Sequence, residues 1–283
     1  MAMHDRLSLN QATIKRADLS QALAVTAAAG IPSIGLWREP VHEVGLSTAC
    51  SMVADSGLRV SSLCRGGFFT SDVRREQQRA YDDNLRAIDE TAQLAAAGAA
   101  GSAPVLVLVA GGLPEASTDL RGARERVTAA VADLVDAAAA AQVTLAIEPM
   151  HPMYAADRGV ISSLRSALDI AEHFDPATVG VVLDAFHVWW DPDVYTQVAR
   201  AGAQQRISSY QINDWITPLP ADALLSRGLP GQGHIDLRAL TRAVVDAGYS
   251  GDIEVEIFNA DIWARPFDDV LRDVLVATSP MTV

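Results

Sequence analysis

Four short stretches of the chain each close a run of strand-forming residues on an oxygen-bearing side chain. They are LAIEPMHP (145–152) with Glu148, VVLDAFH (181–187) with Asp184, SYQIND (209–214) with Gln211 and EVEIF (254–258) with Glu256. Two glutamates, an aspartate and an amide oxygen are hard donors, suited to a divalent ion such as Mn²⁺ or Mg²⁺. Three carboxylates within reach of one another repel unless a cation or protons compensate. Taken singly, an acid at a strand end is as readily a helix cap or an ion-pair partner. Four in register on consecutive parallel strands would form one metal site. Glu254 shares the parity of Glu256 and is expected to point inward one layer lower, as a buried structural acid.

Other residues near these ends could meet a substrate. His187 and His151 each follow a candidate ligand acid by three positions, and a histidine there can hold a substrate oxygen. Arg65, just past a predicted strand, could meet an anionic or hydroxylated group, or lie on the surface. Asp214 could orient a loop or cap the segment that follows it. All five tryptophans (Trp37, Trp189, Trp190, Trp215 and Trp263) fall at or just after predicted strand ends, as do Phe68, Phe69, Phe186 and Phe258. This distribution predicts an aromatic-walled pocket with Trp37 and Trp215 against the substrate. Packing of the loops on one another is the alternative.

The elements that must position these residues alternate along the whole chain. Strands are predicted at 6–11, 32–37, 58–64, 103–111, 143–149, 178–184, 206–213 and 251–258. Helices are predicted at 18–29, 43–56, 72–97, 118–141, 160–174, 191–203, 236–247 and 266–277, with Asp18 as an N-cap and Gly30 just past a helix end. Eight strand–helix units over 283 residues match a single (β/α)8 barrel spanning 1–283, with an open doubly wound sheet as competitor. No dinucleotide or phosphate-loop fingerprint favours the open sheet. In a barrel, functional side chains sit at the C-terminal strand ends, which is where the four oxygen donors fall.

Composition narrows the classes further. A net charge of −13 argues against nucleic acid and anionic membrane as partners. Two cysteines, Cys50 and Cys64, imply no disulfide framework, and no stretch reads as a leader or a membrane span, so a cytoplasmic setting is expected. Lys15 is the only lysine and precedes the first helix, which leaves Schiff-base chemistry without a well-placed amine. A homo-oligomer is left open.

With these residues in view, the sequence resembles the sugar phosphate isomerase/epimerase family of xylose-isomerase-like barrels. The resemblance rests on IEP at 147–149, LDxxH at 183–187, QxxD at 211–214, GxG at 231–233 followed by IDL, and GYSGDIEVE at 248–256. It implies metal ligation by Glu148, Asp184, Gln211 and Glu256, with Mn²⁺ favoured over Mg²⁺, Co²⁺ or Zn²⁺. It also implies that Glu148 and Glu256 exchange protons with the carbon of a small polyhydroxy carbonyl substrate. Gln211 stands where the ketose 3-epimerases of the family carry histidine, and so resembles hydroxypyruvate isomerases and some dehydroshikimate dehydratases. Ser209, however, occupies a position where the former carry histidine. A metal-dependent isomerase or epimerase is the first expectation. A lyase or dehydratase using the same proton abstraction is the second, and a metal-free binding subunit the third.

Overall fold

A computed structural model describes residues 3–281. Eight parallel strands close into a barrel: β1 Leu7–Asn10, β2 Ser33–Trp37, β3 Arg59–Gly67, β4 Val105–Val109, β5 Thr144–Glu148, β6 Val179–Asp184, β7 Ile207–Ile212 and β8 Ile253–Val255. Each strand pairs with its sequence neighbours, and β8 closes the ring on β1 through Leu7–Ile253, Ser8–Glu254 and Leu9–Val255. The competing open sheet is thereby excluded.

The alternation along β4 shows how the barrel is filled. Leu106 and Leu108 face outward into the main core between strands and helices, while Val105 and Val107 face inward with Cys64, Ala146 and Val182. The outward layer holds the helices on the sheet by burying apolar area. The inner layer is narrower and, toward β1 and β8, becomes polar.

Helix ends fall where side chains can satisfy the free backbone N–H groups. Asp18 and Gln21 form a reciprocal capping box ahead of Leu19–Ala28, and Gly30 takes the left-handed conformation beyond that helix at φ 74°. Asp236 caps Leu237–Asp246 by accepting from the Ala239 N–H. The helix predicted over 43–56 is instead two, Arg38–Val44 and Leu46–Ser56, broken at Gly45 with φ 83°. The sequence pattern also did not reveal a two-stranded antiparallel ribbon in which Asp214–Trp215 pairs with Arg227–Gly228. That ribbon lies on the side of the barrel where β7 ends.

Candidate active site at the C-terminal end of the barrel

Glu148 ends β5 and Asp184 ends β6, while Gln211 lies in β7 and Glu256 just beyond β8. All four are buried. Register sets their depths: Asp184 pairs with Gln211, and Gln211 pairs with Glu254. Gln211 thus sits level with Glu254, and its Nε2 donates to the Glu254 carboxylate at 2.9 Å.

Glu254 belongs to the barrel's interior. Asn10 Nδ2 (2.6 Å), the Ser61 and Ser62 hydroxyls and Gln211 Nε2 all donate to it. Gly35 makes room, since a Cβ there would stand 2.4 Å from Glu254 Oε2.

Two residues on, the surroundings of Glu256 differ. Its Oε2 meets Nη1 of Arg227 at 2.7 Å, and the same nitrogen meets Asp184 Oδ2 at 2.8 Å. Arg227 is itself buried, with its guanidinium 4.8 Å from the Phe186 ring centre and 4.9 Å from that of Phe258. This arginine was not among the residues the sequence singled out. It stands one position before the glycine-rich loop 228–236, and the only signal for it was the excess of acids requiring a positive partner. Asp214 organises that segment: its carboxylate accepts from the N–H groups of Trp215, Gly231 and Ile235. Of the two roles considered for Asp214, orienting the loop is the one seen.

Among the described residues none donates a hydrogen bond to the Glu148 carboxyl. His187 Nε2 lies 3.9 Å from its Oε1. Burial pushes the Glu148 carboxyl well above the usual range, and the charges of Glu256 and Asp184 add to this. Burial likewise pushes Glu256 up to about 8, with Arg227 opposing and Asp184 and Glu254 reinforcing.

His187 sits in the short helix Ala185–Val188. Its Nδ1 accepts from the His151 backbone N–H at 3.1 Å, and its Nε2 lies 3.6 Å from Asp184 Oδ2. Burial, together with Arg227, holds the ring neutral. Nε2 also lies 3.1 Å from Nη2 of Arg227, so the single acceptor nitrogen of a neutral ring is contested between the His151 N–H and the Arg227 guanidinium.

A cavity of ≈ 220 Å³ opens over this floor, and Glu148, Glu256, His187, Arg227, Arg65, Cys64, Trp37, Phe68 and Phe258 are among the residues lining it. Asp184 and Gln211 lie beneath the surface. His151 and Trp215, expected to touch substrate, are not among the lining residues. Trp215 stacks on Phe186 at 4.7 Å and lies 5.0 Å from the His151 ring, while Trp189 and Trp190 complete the cluster. The aromatic residues therefore divide. Trp37, Phe68 and Phe258 wall the cavity; Phe186, Trp189, Trp190 and Trp215 cluster with His151, Trp263 packs on Phe258, and Phe69 lines a separate pocket. Burial lowers the pKa of His151 to about 4, so it is a neutral packing group near pH 7. His234 meets the Thr217 hydroxyl at 3.1 Å at an exposed position and is not among the lining residues.

The donor set can be tested against a divalent ion on this geometry. Gln211 Oε1 is buried with no hydrogen-bond partner, and the Glu148 oxygens lack donors. These are unfilled lone pairs of the hard type such an ion takes. Glu148, Asp184 and His187 also offer ligand atoms that all lie within 4.8 Å of one another. Asp184 and Glu256 are the exception, since Arg227 already balances them. The residues fit an ion, provided that ion competes with the guanidinium for those two carboxylates.

Comparison with known proteins agrees with this architecture. A crystal structure of protein SMc04130 from Sinorhizobium meliloti 1021 superposes with a TM-score of 0.92 at 43% identity, covering 98% of each chain. The structure of an L-ribulose 3-epimerase superposes with a TM-score of 0.76 at 22% identity over 97% of this chain and 92% of that one, a likeness of fold. A 3-dehydroshikimate dehydratase of Pseudomonas aeruginosa (strain PAO1) is 32% identical over 112 residues, 38% of this chain. The matched segment spans only 17% of that enzyme's length. The family model for the xylose isomerase-like TIM barrel matches residues 23–275, and the chain belongs to that family.

Proposed function

We propose that this protein moves a proton beside the carbonyl of a small hydroxy-carbonyl compound, isomerising or epimerising it through an enediolate. The observation that carries this reading is the pair Glu148 and Glu256. Both line the cavity, both are buried, and burial raises both pKa values above the ordinary carboxylate range, toward the neutral pH at which a carboxyl can take and give back a proton. Glu148, Asp184, Gln211 and Glu256 would hold a divalent ion, Mn²⁺ by preference, which supplies polarisation of the substrate's carbonyl and hydroxyl oxygens. One glutamate removes the proton from the carbon next to the carbonyl, and the same or the other glutamate returns it to a new carbon or face. His187, which lines the cavity, holds a substrate oxygen. The guanidinium of Arg227, fixed between Phe186 and Phe258, offsets negative charge as it develops on the enediolate. Trp37 and Phe258 enclose the ring or chain of the substrate and exclude water.

One observation favours a second reading. The partial likeness to a 3-dehydroshikimate dehydratase supports elimination of water after the same proton abstraction. Incubation in D₂O separates the two. Deuterium incorporated with no change of substrate formula indicates isomerisation or epimerisation, and loss of water indicates a lyase. Glu148→Gln or Glu256→Gln retaining full turnover would sink both.

A further inference from the structure

Arg65 remains unexplained by the chemistry so far. It lies where β3 and β4 fall out of step: Cys64 pairs with Val107 and Gly66 with Leu108, leaving Arg65 as the extra residue. Such an irregularity re-aims a side chain, and here Arg65 joins the cavity wall. Its carbonyl accepts from Nη1 of Arg38, and Arg38 is itself buried and tied to Asp83 and Glu90. The side chain packs against two rings, its guanidinium 5.3 Å from the Trp37 ring centre and 5.1 Å from that of Phe68. Phe68 is half exposed and holds a left-handed φ of 63°, a conformation that a bulky residue rarely adopts. No carboxylate or carbonyl among the described residues accepts a hydrogen bond from the Arg65 guanidinium. The two other arginines of the cavity are occupied, Arg227 by Asp184 and Glu256, and Arg158 by Asp157 and Asp222.

We propose that Arg65 is a carboxylate receptor, so that the substrate of this site is a hydroxy-carbonyl acid rather than a neutral ketose or a sugar phosphate. The assignment rests on the proton-transfer reading above and names its substrate class. A guanidinium packed near two rings with no acceptor from the protein keeps its N–H groups for a ligand, and its planar fork matches the two oxygens of a carboxylate. Charge decides between carboxylate and phosphate. A phosphate monoester brings about −1.5 to −2 against the single charge of Arg65, the one cavity arginine with no carboxylate partner among the described residues. One carboxylate balances it.

Three probes that differ only at C6 test this on the Mn²⁺-loaded protein: D-fructuronate (carboxylate), D-fructose (hydroxymethyl) and D-fructose 6-phosphate. 3-Dehydroshikimate serves as a cyclic acid. Binding is measured by calorimetry for the wild type, Arg65→Met and Arg65→Lys, with the melting temperature of each variant as a folding control. An acid should bind at least about tenfold more tightly than its neutral counterpart. Arg65→Met should erase that advantage while leaving D-fructose unchanged, and Arg65→Lys should restore part of it. The proposal is overturned if no acid outbinds its neutral analogue, if Arg65→Met weakens acid and neutral ketose alike, or if only the phosphate depends on Arg65. Exchange of the substrate C–H in D₂O keeps the two readings apart. Arg65-dependent acid binding without exchange in any probe retains the carboxylate receptor and removes the proton-transfer reading. Exchange on D-fructose that Arg65→Met does not alter does the reverse.

Discussion

Glu254 and Glu256 lie two residues apart, point the same way and are equally hidden from solvent, yet their surroundings are opposite. Glu254 is saturated by donors from Asn10, Ser61, Ser62 and Gln211. Glu256 has one guanidinium, shared with Asp184, and Glu148 across the cavity has no donor among the described residues. A buried acid that serves the fold receives every hydrogen bond it can use, because an unmet charge is expensive. A buried acid kept for chemistry is left under-satisfied, with a raised pKa and oxygens free for a ligand.

Applying one substitution to both layers is the sharpest way to break this contrast. Glu148→Gln should lower turnover by about 10²–10⁴-fold while leaving the melting temperature unchanged or raised, since it removes an unpaired buried carboxylate. Glu254→Gln should do the opposite, costing on the order of 1.5–3 kcal/mol in a chemical-denaturation experiment because the new amide turns donors toward donors. Equal effects of the two on both readouts would dissolve the distinction.

Metal should respect the same boundary. Mn²⁺ at about a hundred times its dissociation constant is expected to stabilise the protein by about 2.7 kcal/mol in thermal melts. Glu148→Gln and Glu256→Gln should lose most of that shift, and Glu254→Gln should keep it. The smallest effect is on the pH profile of the metal-free protein. The folded-state pKa of Glu256 is raised from 4.5 to about 8, so the folded form holds its proton more tightly than the unfolded form. Its contribution to stability is therefore full below about pH 4.5 and lost as pH rises toward 8. The stability of Glu256→Gln should fall less steeply over that window.

Much of this was legible before the structure. The strand alternation gave the barrel because period-two patterns bounded by glycine and capping residues are local signals, as at Asp18 and Gly30. The positions of Glu148, Asp184, Gln211 and Glu256 followed from strand order alone. Depth did not. That Gln211 sits level with Glu254 depends on the stagger of the closed barrel, which no single strand encodes. Arg227 was missed because a buried arginine in a loop has no periodicity; its partners come from β6 and the end of β8 and are visible only once the ribbon folds over the rim. His151 and Trp215 carried the right chemistry at the right spacing, but their rings found one another first.

The solitary lysine has a practical side. Lys15 is exposed, its ammonium lies 4.9 Å from the Trp263 ring centre and 5.9 Å from that of Phe258, and Phe258 is part of the cavity wall. Apart from the chain's terminal amine, an amine-directed fluorophore has this one side chain to find. A dye there would sit beside tryptophan, a natural quencher, and against the wall that a ligand touches. Lys15 thus accepts an optical reporter of cavity occupancy without any residue being changed.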